Sequence, residues 1–239
     1  MESQPMTSQA SMLRPTLRSG ARKTLRAKLV VAFGVVLAFA GTLRAQETPP
    51  PQTPAPSSSQ DFQSESLRQG SVEYGFLAGG GTGLGKSDGT QFVLAGGRVG
   101  WVLTGDHLPW LLKGKFEWAV DILPLYPVLL PGGSAIYAGS VRPAVWKWNF
   151  TSGKKFAPYV AAEGGVVFST HNVPPGDTSK VNFTPSAAAG THYFFAKNRD
   201  VFFEGTLGHL SSASIGPHNP GYNVTLLFTV GMTWFKGGH

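Results

Sequence analysis

From about Gly70 to its end the chain repeats one pattern, a segment in which apolar and polar residues alternate, and a period of two means strand. The clearest case places Leu112, Gly114, Phe116, Trp118, Val120 and Ile122 on one face and Lys113, Lys115, Glu117, Ala119 and Asp121 on the other. Near the C-terminus Tyr222, Val224, Leu226, Phe228, Val230, Met232 and Trp234 oppose Asn223, Thr225, Leu227, Thr229, Gly231, Thr233 and Phe235. Eight such segments predict strands near 71–82, 91–103, 111–122, 136–149, 156–169, 181–195, 200–212 and 222–235. Strands of soluble sheets usually run to about five or six residues. A tilted strand crossing a bilayer needs about 9–11, and these segments are long enough.

Composition supports a lipid-facing surface. Charged residues make up only 14% of the 239, with 31 Gly and 12% aromatic residues, where a soluble domain carries about 25% charged residues. The chain has no Cys, so it has no disulfide framework and no thiolate site. The net charge of +7 does not indicate nucleic-acid binding, because it is concentrated at one end. Residues 1–45 hold Arg14, Arg18, Arg22, Lys23, Arg26, Lys28 and Arg44 against Glu2 alone, and the remainder is nearly balanced.

That basic stretch leads into the apolar run Leu29–Leu43 and then into Leu43-Arg44-Ala45, which together form the pattern of a secretory signal. The run is short for a spanning helix, which needs about 20 residues. Residues 1–45 are therefore read as a signal peptide. Residues 46–69, rich in Pro, Ser and Gln, are read as a disordered linker. Residues 70–239 remain as the folded domain.

The connections between the eight segments alternate in length. Thr104–Trp110, Thr151–Lys155 and Ala196–Arg199 are short, whereas Gly83–Thr90, Leu123–Ala135, Thr170–Lys180 and Ala213–Gly221 are longer or richer in Gly and Pro. Short periplasmic turns and long outer loops are expected of an outer-membrane barrel. The expected fold is thus all-β, an eight-stranded antiparallel up-and-down transmembrane β-barrel in a bacterial outer membrane. Glu73, Arg98, Lys113, Lys115, Glu117, Asp121, Arg142, Glu163 and Glu204 would point inward and fill the interior, which excludes a wide pore. Trp101, Trp110, Trp118, Trp146, Trp148 and Trp234 are candidates for interfacial girdles. A soluble barrel would instead expose those charges and bury the apolar face.

Gly80-Gly81-Thr82-Gly83-Leu84-Gly85-Lys86-Ser87 matches the phosphate-loop pattern. The motif works through a helix that follows the loop, and here a strand follows, so the stretch is read as a hairpin tip. The Asn-x-Thr triplets at Asn149, Asn182 and Asn223 matter only in a eukaryotic secretory path.

The informative stretch is the end of the seventh strand and the loop after it. His209 and Ser211 are two apart and share a face, the one that carries Phe203 and Leu207, so both would lie on the outer wall near the extracellular rim. A neutral His beside a Ser can take its proton and raise its nucleophilicity. An acyl ester of the outer leaflet would lie against that wall, which suggests a hydrolase acting on membrane lipid. The alternative is an interfacial pair that binds water or headgroups. His218 is read as a solvated loop residue.

His209-x-Ser211 followed by Asn219-Pro220-Gly221 resembles the PagL-type lipid A deacylases, grouped with acyloxyacyl hydrolase-like proteins. The resemblance implies a serine esterase that removes an ester-linked acyl chain from the lipid A of lipopolysaccharide. It implies His209 as general base, Ser211 as nucleophile and Asn219 as oxyanion-hole donor, with loop amides near Ala213 and Ser214. That family places a Glu fourteen residues after the His to orient the imidazole, and here the position is Asn223. An Asn can hold an imidazole through its amide oxygen but gives no negative charge to the imidazolium. Strand parity turns Asn223 and Glu204, the nearest carboxylate, inward, so the support of His209 stays open between them. No cofactor or metal is expected, because the His, Asp and Glu residues show no ligand spacing. The expected partners are lipid A and outer-membrane lipids, with a homodimer left open. The rival function is a non-catalytic small barrel with a structural, adhesion or binding role.

Overall fold

The computed structural model describes residues 61–176, 178–216, 218 and 222–237. The segment read as a signal peptide therefore lies outside the described residues, as does the first part of the linker.

Eight strands form a closed antiparallel barrel: β1 Ser71–Leu84, β2 Gln91–Val102, β3 Gly114–Leu125, β4 Ala138–Phe150, β5 Phe156–Ser169, β6 Ser186–Ala196, β7 Arg199–Leu210 and β8 Tyr222–Gly237. Each pairs with the next, and β8 returns to β1 in register from Ser71 opposite Gly237 to Leu84 opposite Val224. Closure leaves no unpaired edge, which is what a bilayer demands of a β protein. Three two- or three-residue strands, Val128–Leu129, Ala135–Ile136 and Val181–Phe183, extend the loop end of the wall.

The alternation sorts the side chains as the period of two requires. Glu73, Arg98, Glu117, Asp121, Arg142, Lys147, Glu163 and Glu204 are buried inside, while Phe76, Ile122, Val160, Phe203, Leu207 and Phe228 are exposed outside. The interior is layered. Near the long loops it is apolar, built on Phe92, Leu94, Leu123, Val167, Leu210 and Leu227. A ladder of ion pairs crosses the middle. Arg98 grips Asp121 through two nitrogens at 2.7 and 3.0 Å. Arg142 joins Asp121 at 2.8 Å to Glu163 at 2.9 Å. Lys147 lies 2.6 Å from both Glu73 and Glu117.

The linker reading does not hold for residues 61–69. Phe62–Ser66 is a short α-helix, α1, capped by the Asp61 carboxylate, which accepts from Ser64 N at 3.1 Å. It closes the short-turn end of the barrel. Leu67 is fully buried against Val102, Ala157, Phe194 and Phe235. Gln63 donates to Phe150 O at 3.0 Å, and Lys115 donates to Leu67 O at 2.6 Å. A stretch poor in apolar residues is ordered here because its two large apolar side chains reach a core already present and its polar groups find buried partners.

Strand limits shift in two places. Trp110–Leu112 is a 3-10 turn, so the third strand begins at Gly114 rather than at 111. Leu112 and Lys113 consequently lie outside it, and Lys113 pairs with Asp106 at 3.1 Å instead of facing the interior. The expected strand 181–195 is interrupted at Thr184 and Pro185, because Pro185 has no N–H for the ladder. The phosphate-loop pattern proves to be the end of β1 followed by the 3-10 turn Gly85–Ser87.

Candidate functional site

β7 brings His209 and Ser211 to the loop end of the wall. Along it Leu207 is exposed, Leu210 is 1% exposed in the apolar core, and Glu204 and Thr206 are buried inside. Alternation alone would put His209 and Ser211 on the course of Leu207. Leu210, Ser211 and Ser212 are all buried, however, Ser211 lies just past the end of β7, and His209 borders an interior cavity, so the regular alternation ends at this point. His209 is half-buried and Ser211 is 8% exposed.

The segment before β6 holds the backbone of this strand end. His209 N donates to Pro185 O at 3.0 Å, Ser211 N donates to Phe183 O at 3.1 Å, and Phe183 N donates to Ser211 O at 2.7 Å. The break at Pro185 thus leaves a short strand, Val181–Phe183, against the end of β7. No property of His209 or Ser211 themselves marks this clamp in the sequence, although Pro185 inside an alternating run is a visible sign of irregular pairing.

On the other side the pairing of β7 with β8 slips. Gly208 faces Thr225 and Leu210 faces Tyr222, so two residues of β8, Asn223 and Val224, stand opposite His209 alone. This is a β-bulge, an irregularity in the pairing at the loop end of these two strands. Glu204 is committed elsewhere: its carboxylate accepts from the Tyr159 hydroxyl at 2.8 Å inside the barrel and lies 3.6 Å from Arg98. Asn219 lies outside the described residues. His218 is exposed.

The chain turns sharply after Ser212. Ala213 and Ser214 both have left-handed backbones, at φ 48° and 67°, and Ile215 N donates to Ser212 O at 3.0 Å. Consecutive left-handed residues other than Gly cost on the order of 1–3 kcal/mol each, and such strain collects at functional sites. Gly208–Leu210 also borders an interior cavity of about 20 Å³ shared with Arg142, Thr206 and Thr225. Among the described residues no group of His, Asp and Glu is arranged to hold a metal.

The family model described as Lipid A 3-O-deacylase (PagL) matches residues 95–233, more than half of the chain. The chain belongs to the PagL family. The match runs from within β2 to within β8 and includes the stretch from His209 to Asn223. This PagL-family barrel is accordingly an outer-membrane protein. Among solved structures, that of the outer membrane enzyme PagL is 15% identical, covers 68% of this chain and 98% of its own, and has a TM-score of 0.43. The N-terminal β-barrel domain of Pseudomonas aeruginosa OprF is 16% identical over 71% of this chain and 99% of its own, with a TM-score of 0.41. OprG from Pseudomonas aeruginosa is 10% identical over 73% and 99%, also with a TM-score of 0.41. No curated protein sequence matches significantly.

Proposed function

We propose that this barrel is a lipid A deacylase, a serine esterase that hydrolyses an ester-linked acyl chain of lipopolysaccharide. The observation that carries the reading is family membership together with the closeness in the chain of His209, near the end of β7, and Ser211, just past it, at the loop end of the wall. The Ser211 hydroxyl attacks the ester carbonyl while His209 takes its proton. The tetrahedral oxyanion is met by Asn219 and by backbone N–H groups of the strained Ala213–Ser214 turn. His209 returns the proton to the departing sugar hydroxyl. Water, activated by the same imidazole, then releases the fatty acid from Ser211. Asn223 is assigned as the third member because the alternative, Glu204, has its carboxylate engaged by Tyr159 and faces Arg98 inside the barrel.

The test is mass spectrometry of lipid A from a host expressing the protein. Wild type removes one acyl chain and Ser211→Ala leaves lipid A unchanged; equal deacylation by both would refute the proposal.

A second reading, a barrel that keeps the family shape without catalysis, is favoured by one observation: Asn223 stands where the resembled family has Glu. A serine-directed organophosphonate discriminates the two. Capture at Ser211 supports the enzyme, and a folded barrel that is never labelled supports the shell.

A further inference from the structure

We propose that the turn between β2 and β3 is an interfacial anchor, with Leu108, Trp110, Leu111 and Leu112 seated in the headgroup region of the periplasmic phospholipid leaflet. These four side chains are 59, 84, 68 and 59% exposed, the most exposed apolar cluster at this end of the barrel among the described residues. The other two turns there are Thr151–Lys155 and Lys197–Asn198, both polar.

The tip is built rather than loose. Leu108 and Trp110 are left-handed, at φ 63° and 60°, a backbone that L side chains adopt only when their surroundings impose it. His107 and Gly114 exchange backbone hydrogen bonds of 2.9 and 3.0 Å across the base of the turn. Ser152 Oγ donates to Trp110 O at 3.1 Å. Asp106 accepts from the Thr151 hydroxyl at 2.7 Å and pairs with Lys113 at 3.1 Å. Strain and hydrogen bonds together hold four apolar side chains in water, an arrangement that has no benefit for a turn meeting only solvent.

The position of the tip selects the partner. Trp148 belongs to the outward course of β4, since Lys147 and Asn149 on either side are fully buried. Its indole N–H donates to Leu112 O at 3.3 Å. The 3-10 turn is therefore pinned to the outside of the cylinder and not beneath its mouth, which α1 occupies. It continues the lipid-facing wall where that wall is richest in indole, with Trp146 exposed and Trp101 stacked on Trp118 at 5.0 Å. Trp at the boundary between acyl chains and headgroups is the usual membrane anchor. The occupant is a phospholipid surface.

The absence of Cys makes the test direct. Leu111→Cys and, as a control on a polar turn of the same end, Lys154→Cys are labelled with an environment-sensitive nitrobenzoxadiazole dye. The full barrels are refolded into phosphatidylethanolamine–phosphatidylglycerol vesicles, with folding checked by heat-dependent gel mobility. The expected result is blue-shifted emission at 111, quenched by shallow doxyl-labelled phospholipid at least about twofold more than at 154. Trp110→Cys serves if the first variant does not fold. Water-like, unquenched emission at 111 or 110 overturns the proposal. So does a blue shift that escapes lipid quenching and disappears as the barrel is diluted in lipid, because that outcome assigns the tip to a second copy.

Discussion

Asn223 offers the sharpest test at the scale of one residue. An amide can orient an imidazole but leaves the imidazolium that forms in acyl transfer without a counter-charge. Asn223→Glu is expected to raise kcat for lipid A deacylation by about tenfold or more with little change in KM, because the added charge acts in the transition state and not in binding. Time courses of lipid A mass spectra measure it; a variant slower than wild type would show that position 223 does not serve His209. Asp106 gives a prediction about pH. Burial alone would raise its carboxyl, yet the Thr151 hydroxyl, Lys113 and Lys115 together hold it below the ordinary carboxylate range. A carboxyl lowered in the folded state contributes stability above its unfolded value, and that contribution fades as pH falls through the folded one. The side chain is 38% exposed, so screening keeps the effect below about 1 kcal/mol. Asp106→Asn should therefore destabilise slightly at pH 7, and its difference from wild type should narrow as the pH falls below the ordinary carboxylate range, read by urea unfolding from lipid vesicles.

Among the elements, α1 is the one that composition concealed. Its stretch, FQSES, reads as linker because burial there is carried by Gln63 and Ser66 as much as by Leu67. Ser66 Oγ accepts from Asn198 N at 3.1 Å, and Gln63 spans to Phe150, partners too distant in the chain to be foreseen. Leu67→Ala is expected to cost about 2–4 kcal/mol through the cavity left among Val102, Phe194 and Phe235, read from the urea midpoint of refolded barrel. An unchanged midpoint would mean that the plug adds nothing to stability. By contrast β1, β4, β5 and β7 were legible to within a few residues, because a wall with lipid on one side and a filled interior on the other imposes strict alternation. The errors fall where local chemistry overrides alternation. Pro109 and the left-handed Trp110 delay β3 to Gly114, and Pro185 divides the strand before β6. The candidate site is a similar mixture. His209 and Ser211 stand out as candidates through their spacing and the family motif, whereas the clamp by Phe183 and Pro185 and the slip opposite His209 depend on how neighbouring strands pair.

At the scale of the whole molecule the barrel is a filled cylinder, stoppered by α1 at one end and by apolar side chains at the other, so it should pass no steady current in planar bilayers. What remains is how the charged middle is tolerated. Lys147 is fully buried 2.6 Å from Glu73 and from Glu117, and Glu117 also accepts from Asn149 at 2.7 Å. Both carboxylates are fully buried, so the cation matters less for any attraction it adds than for the repulsion and desolvation it offsets. Removing one partner of a buried pair typically costs about 3–5 kcal/mol, while replacing the whole group by neutral residues is often nearly harmless. Lys147→Met alone should therefore lower the urea midpoint strongly. Lys147→Met combined with Glu73→Gln and Glu117→Gln should recover most of the loss, although it has two substitutions more. If the triple variant were the least stable of the set, the ladder would be a net source of stability and not a mutually cancelling group of charges, and the layered account of the interior would have to be reversed.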